Sequence, residues 1–250
     1  NAIGWLMNLV VETVNTAVIY IDDLPFSLIE GISISIKETY LIYLVVIFIG
    51  LGFSLRRFRL INYSLISLLL LFLLDLHEDY NLINKKQLVI YYVKGHIAID
   101  FIVGKEHLFL SSEELYNDEA SMLFNIKHHW YDLDLSQPVF KRINSDNNLL
   151  LSNENDTLIS INNNRFSYGG IDLVLLDSSY CKPIDNSSVI LLSGKYEGDY
   201  IELINKNINN KFIGMSDLSY QQRSELESLT KQLDVSYYDV SKEGAWILDL

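Results

Sequence analysis

QLVIYYVKGHIAIDFIVGKEHLFL, the stretch Gln87–Leu110, decides the fold of the larger part of this chain. Three short runs rich in β-branched and aromatic residues, Gln87–Val93, Ile97–Val103 and His107–Leu110, are separated by Lys94-Gly95 and Gly104-Lys105. Such close spacing with glycine turns predicts hairpins or a meander. Toward the C-terminus, residues 144–164 hold Asn144, Asn147, Asn148, Asn153, Asn155, Asn162, Asn163 and Asn164 around short apolar runs, which suits strands joined by polar turns. The rhythm then alternates. Ile171–Leu176, Val189–Leu192, Phe212–Met215, Val235–Val240 and Ala245–Leu250 read as strands. Between them, Asp199-Tyr200-Ile201-Glu202 opens one helix with a cap and an acidic residue. Ser219-Tyr220-Gln221-Gln222 is a capping box for another, with Leu226, Leu229 and Leu233 on its buried face. A strand-rich half followed by a strand–helix–strand half predicts an α/β, sandwich-like domain over about 85–250.

On the N-terminal side the pattern changes to long apolar runs. Tyr40–Leu55 and Leu60–Leu74 carry no charge, and Leu65–Leu74 is apolar on every helical face, which a surface helix avoids. Both runs fall a little short of the ~20 residues of a comfortable span, which local thinning and helix packing accommodate. They predict a transmembrane hairpin with helices at about 39–55 and 60–75. Arg56, Arg57 and Arg59 fill the link, while Asp75, Glu78 and Asp79 follow the second run. Short basic loops stay in the cytoplasm, so these arginines set the topology and put everything after about Leu76 outside. Upstream, Ile3, Leu6, Val10, Val14, Ala17 and Ile21 recur at helical spacing opposite Asn8, Glu12 and Asn15, up to Asp22-Asp23-Leu24-Pro25. Helix 3–21 reads as an in-plane interfacial helix, because Glu12 would sit mid-membrane in a span. The alternative is a core helix of a larger membrane bundle.

Composition agrees with two unlike parts. Hydrophobic residues make up 49% and charged residues 20%, too apolar for a disordered chain. Residues 1–75 hold four basic and six acidic residues, and the total of −13 therefore leaves −11 on residues 76–250. So acidic a surface argues against broad nucleic-acid binding. One cysteine excludes an internal disulfide framework and a Cys-rich zinc site. The start at Asn1, inside an apolar stretch, reads as a piece of something longer.

The residues that could carry chemistry are few. His77 follows the second apolar run and reads as an interfacial side chain, and His107 opens a strand. His96 and Asp100, four apart in an extended region, sit about 13 Å apart and cannot share one metal. His128 and His129, followed by Asp132 and Asp134, are the only cluster of ligand-type residues. Adjacent strand positions face opposite ways, so only a loop brings both histidines to one ion. A solvated polar segment is the favoured reading over a metal site at His128, His129 and Asp132. Ser178 and Ser179 follow Asp177 without a nucleophile elbow. Cys181 reads as a small apolar residue, and Asp177 and Asp199 as turn or capping groups. No glycine loop could cradle a phosphate. Asn62, Asn155 and Asn186 head N-x-S/T triplets of the kind an Asn-rich chain holds by chance. By its residues the chain does not read as an enzyme.

The order of features resembles a known family. An amphipathic helix, Leu24-Pro25-Phe26-Ser27, Gly31-Ile32-Ser33-Ile34-Ser35, then a membrane helix with Glu38 and Tyr40-Leu41-Ile42-Tyr43, is similar to the end of the competence permease region of the ComEC family. Gln87–Val93 with Ala98-Ile99-Asp100-Phe101-Ile102, and Tyr237-Tyr238-Asp239-Val240 with Gly244-Ala245-Trp246-Ile247, resemble the opening hairpin and closing strands of its C-terminal domain, related in fold to the metallo-β-lactamases. The resemblance implies a multi-pass protein of the bacterial cytoplasmic (inner) membrane, with residues 1–80 ending a permease region and 85–250 outside. It implies a channel for uptake of transforming DNA. Its partners would be membrane lipid, upstream helices of the same protein, single-stranded DNA passing through the membrane part rather than touching the acidic domain, and a basic partner that delivers the DNA. The His-x-His-x-Asp-His run of active members is missing: His128-His129-Trp130-Tyr131-Asp132 fails the spacing, and Leu192-Ser193-Gly194-Lys195 stands where a paired His with Gly and Ser is expected. The resemblance therefore carries over no catalytic residue, metal or cofactor, and implies a degenerate, metal-free branch. Two other readings stand beside it: a membrane-anchored metal-dependent hydrolase or nuclease with other ligands, and a tethered binding or scaffolding domain unrelated to DNA.

Overall fold

The computed structural model describes residues 2–22, 34–143, 149–153, 156–162, 164–178 and 189–250. Helix α1 (Ala2–Asp22) exposes its side chains from Gly4 to Ile21. Helix α2 (Ile36–Ser54) starts at a capping box: Ser35 Oγ accepts from Glu38 N and Glu38 Oε2 accepts from Ser35 N at 2.8 Å. A turn through Arg56 and Arg57 leads to α3 (Phe58–Ile83), which packs along α2. Gly52 is buried here, and a Cβ on it would lie 2.9 Å from Ile61 Cγ1, so the missing side chain lets the two helices close. Ser64 and Ser67, also buried, return their hydroxyls to Ile61 O and Tyr63 O. All three helices are long and apolar enough to cross a membrane, α1 as well as the hairpin. Helix α3 runs eight residues beyond the expected end at 75, because Asp75–Ile83 stays helical outside the apolar run.

Three residues after Ile83 the strands begin. β1 (Lys86–Ile90), β2 (Ala98–Val103) and β3 (Glu106–Ser111) form the expected meander. A helical layer follows that the β-rich reading of this region did not anticipate: α4 (Glu113–Asn117), α5 (Glu119–Met122), a π-helical turn (Leu123–Lys127) and α6 (His128–Asp132). β4 (Val139–Arg142) then lies parallel to β3. β5 (Leu149–Asn153), β6 (Asp156–Asn162), β7 (Arg165–Tyr168) and β8 (Ile171–Leu176) run antiparallel in turn. β9 (Val189–Leu192), α7 (Tyr200–Lys206), β10 (Lys211–Gly214), α8 (Tyr220–Gln232) and β11 (Tyr237–Asp239) continue the sheet in parallel from β8. A short α9 (Val240–Glu243) replaces the end of the strand read over Val235–Val240, and β12 (Trp246–Asp249) crosses back to pair with β1.

The result is a five-stranded sheet, β12-β1-β2-β3-β4, and a seven-stranded sheet, β11-β10-β9-β8-β7-β6-β5. Leu88, Ile90, Ile99, Phe101, Leu108 and Leu110 of the first share one core with Phe166, Tyr168, Leu173, Leu175, Leu191 and Ile213 of the second. Tyr168 spans it, donating its hydroxyl to Ile102 O at 2.5 Å. The opposite strand faces are apolar too. Val89, Ile102 and Phe109 pack under Leu115, Met122, Ile126 and Trp130 of the helical layer. Val174, Ile190 and Phe212 pack under Leu203, Ile204 and Leu226. The order helix–sheet–sheet–helix explains why β8 and β9 read as unbroken apolar runs: each strand is buried on both faces.

Helix α3 enters this domain without a linker. Leu82 packs against the core beneath the helical layer. Gly104, at φ +61°, donates its N–H to Lys85 O at 2.8 Å, and a Cβ on it would meet Ile83 O at 2.8 Å. Lys105 Nζ sits between Asp79 of α3 at 2.8 Å and Asp134 at 2.5 Å. Ser136 N and Oγ both donate to Lys105 O.

Candidate functional site

Two places gather side chains able to do chemistry. The first is a cleft of about 930 Å³ where β8, β9 and β10 end against the first sheet, lined among others by His96, Ser112, Glu113, Arg142, Lys195 and Asp217. Crevices at the carboxyl ends of parallel strands are where open α/β sheets bind ligands. Ser216 stitches the rim: its Oγ accepts from Val93 N and donates to Tyr91 O, and its carbonyl accepts from Gly95 N. Ser193, fully buried, donates to Asp217 Oδ2 at 2.6 Å. Gly194 is required there, since a Cβ would lie 2.3 Å from Asp217 O. Asp217 Oδ1 is buried without a partner among the described residues. His96 Nδ1 meets Ser112 Oγ at 3.1 Å, and Arg142 lies 3.5 Å from Glu113. Cations and acids alternate around this rim, so it does not present one charge sign.

The second place is a buried polar network beneath the helical layer. Asp100, fully buried on the helix-facing side of β2, accepts from Trp130 Nε1 at 2.7 Å, from His107 Nδ1 at 2.9 Å and from Tyr91 OH at 3.3 Å. His107 Nε2 lies 3.0 Å from Ser136 O. Both of its ring nitrogens therefore face acceptors. Tyr91 OH also meets His129 Nδ1 at 2.8 Å. The Trp130 ring stands edge-on to His107 and Phe109. Burial beside Asp100 pushes the Tyr91 hydroxyl far above its usual range, and burial pushes the His129 ring below its own. Tyr91, Asp100, His107 and Trp130 are buried, and only His129 is half-exposed. A nucleophile or metal has no open approach to Asp100, so the network positions structure.

His128 and His129 lie on a helix rather than a strand or loop. His128 is exposed, whereas His129 turns in to Tyr91, and Asp132 is exposed at the end of α6. Among the described residues, no group of three or more His, Cys, Asp or Glu side chains is placed to hold a metal ion. His96 and Asp100 part as expected, one at the rim and one in the network. His77 pairs with Asn81 at 3.3 Å. Asp199 caps α7, accepting from Ile201 N and Glu202 N, and the buried Asp177 accepts from Asn164 Nδ2 at 2.8 Å. Lys195, in the Ser193-Gly194-Lys195 segment, lines the cleft. Ser179, Cys181, Asn155, Asn186, Leu24–Ser27 and Gly31–Ser33 lie outside the described residues.

The network was missed because the helical layer was missed, yet the signals were present. Ser112 before Glu113-Glu114 caps α4 by accepting from Leu115 N, and Asp118 before Glu119 caps α5 by accepting from Ser121 N. Met122, Ile126 and Trp130 recur every four residues.

One family model matches the chain: the ComEC C-terminal domain, over residues 88–250. No curated protein and no solved structure matches.

Proposed function

The chain belongs to the ComEC family through its C-terminal domain, and from that premise we propose that it is the C-terminal part of a channel that takes up transforming DNA across the bacterial cytoplasmic membrane, with a non-catalytic domain outside. The observation that carries this reading is the direct junction of the matched domain to an apolar hairpin: α3 ends at Ile83 and β1 begins at Lys86. Arg56, Arg57 and Arg59 in the hairpin link favour a cytoplasmic link and an external domain. The sandwich is read as metallo-β-lactamase-like with its metal site lost.

The division of labour follows from charge. A domain with a net charge of −11 over residues 76–250 repels a polyanion within a Debye length of about 8 Å at physiological salt. Single-stranded DNA therefore passes through the membrane part, formed with helices beyond this segment and bounded by lipid. The external domain braces the channel mouth or docks a basic partner that delivers DNA.

The experiment combines location and uptake. With Cys181 replaced by Ser, a cysteine at the exposed Glu197 should react with a membrane-impermeant thiol reagent in intact spheroplasts, and deletion of residues 85–250 should impair uptake. Labelling only after lysis reverses the topology. The full chain in detergent should hold no stoichiometric zinc or manganese and leave single-stranded DNA uncut. A metal lost on His128→Ala with His129→Ala would restore the hydrolase reading.

A further inference from the structure

Helix α1 carries its polar residues on one narrow line. At 3.6 residues per turn each residue advances about 100°, so Asn8, Glu12 and Asn15 fall within about 60° of arc. Leu6, Val10, Val14, Ala17 and Ile21 lie opposite, and the flanks of the line are apolar as well, with Val11 and Ile19 beside it. Thr13 and Thr16 return their hydroxyls to the helix itself, at Leu9 O and Glu12 O, both at 2.7 Å. The amides of Asn8 and Asn15 and the carboxyl of Glu12 instead project from it, exposed. Two features decide against an in-plane helix. A helix lying in the interface turns a broad, strongly charged face to the headgroups, with Lys and Arg prominent on it. Helix α1 holds no Lys or Arg, and a broad face centred on its polar line would put Val11 and Ile19 into water. The second feature is length: 21 residues make a rod of about 32 Å against roughly 30 Å of hydrocarbon. In a span over the 18 residues Gly4–Ile21, Glu12 stands at the middle.

We propose that α1 crosses the membrane and lines a water-filled path with Asn8, Glu12 and Asn15, its remaining surface facing lipid and neighbouring helices. A carboxyl and two amides at this depth need water or polar partners, because hydrocarbon offers neither donor nor acceptor. Tyr40–Ser54 of α2 and Leu60–Leu74 of α3 carry no charge, so neither run offers a counter-charge for Glu12. Water serves all three groups at once. A line this narrow fits the wall of a path, where one edge of the helix is wet and the rest is dry. The inference rests on the proposed membrane channel and deepens it by naming part of its wall. Its test reads water within the membrane and not uptake, so each can fail without the other.

Single cysteines in the whole protein in its native membrane, with Cys181 replaced by Ser, test the wall with a small, water-soluble methanethiosulfonate. A thiol facing lipid stays protonated and unreactive, so Asn8→Cys, Glu12→Cys and Asn15→Cys should react at least about tenfold faster than Val10→Cys, Val14→Cys and Ala17→Cys. A polymer-linked maleimide, too large to enter a path, should reach Gly4→Cys and Ile21→Cys from opposite sides of the membrane. Labelling of both from one side overturns the proposal in favour of an in-plane helix. Equal, slow rates on the two faces overturn it in favour of a dry contact with another helix, and equal, fast rates overturn it by placing the whole helix in water. Should Glu12→Cys fail to assemble, Asn8→Cys and Asn15→Cys keep the carboxyl and decide alone. The expected pattern in cells that take up no DNA would support the wall and refute the cargo.

Discussion

Replacing Asp100 by Asn keeps the volume of the side chain and reverses the logic of its surroundings. The carboxylate accepts from Trp130 at 2.7 Å, His107 at 2.9 Å and Tyr91 at 3.3 Å, with no exposure to water. An amide leaves one acceptor oxygen and presents an NH₂ group to neighbours that are themselves donors. Hydrogen bonds to a charged group contribute about 1.5–3 kcal/mol each, and breaking one partner of a buried pair costs about 3–5 kcal/mol. These describe one event from two sides and do not add. The expected loss is therefore about 3–5 kcal/mol, a fall in melting temperature of roughly 10 °C for a domain of this size. Thermal unfolding of the full chain in detergent, followed by near-ultraviolet circular dichroism, reads it through the packed Trp130. Asp100→Leu, which leaves the Trp130 and Tyr91 donors with no acceptor at all, should cost at least as much as Asp100→Asn. A loss below about 1 kcal/mol for Asp100→Asn would refute the assignment of this network as a coupled unit.

Three other outcomes follow. Gly104→Ala should destabilise the junction between α3 and the domain by about 1–2 kcal/mol or more, since the left-handed backbone alone carries that cost and the new Cβ would meet Ile83 O at 2.8 Å; faster proteolysis between α3 and β1 is the readout. Lys105→Ala, by contrast, should change stability by less than about 1 kcal/mol, because its ion pairs are partly exposed. Glu227, gripped by Lys231 at 2.8 Å and by Lys242, has its carboxyl held down to about 2 from 4.5. Its folded-state value lies below the unfolded one, so its contribution is present above about pH 4.5 and lost as the pH falls toward 2. Glu227→Gln should accordingly lower the melting temperature slightly at pH 7, and the difference from wild type should vanish toward pH 2 and shrink in high salt.

How much was legible depended on how far each signal reached along the chain. β2, β3, β8 and β9 could be read because alternation and unbroken apolar runs are local, and the caps at Asp199 and Ser219 mark their helices within four residues. The hairpin was legible for the same reason: Leu65–Leu74 is apolar all round. The partners of the strands were not legible. β12 lies next to β1, pairing Leu88 with Leu248, and no short-range pattern in Ala245–Leu250 states which sheet it joins. The helical layer was hidden by its brevity, with α4, α5 and α6 each of five residues or fewer. The site suffered most. His107 and Asp100 are seven residues apart across a hairpin and Trp130 lies thirty after Asp100, so only the fold brings them together. Scanning for adjacent ligands drew notice to His128 and His129, of which just one enters the network.

Helix α3 has 26 residues, a rod of about 39 Å, against roughly 30 Å of hydrocarbon. In the proposed topology the surplus is no spacer, because only Asn84 and Lys85 separate it from β1 and the Gly104-Lys105 turn grips its last two turns. A rod set this firmly at its upper end transmits torque. When lipid thickness or neighbouring helices tilt α3, the whole domain must swing with it, and the displacement grows with distance from the pivot. Points furthest from α3 would sweep furthest, like the rim of a hinged cap. A force applied there by a docked partner would return down the same lever to the membrane hairpin, with Gly52 as the point where α2 and α3 lie close enough to feel it.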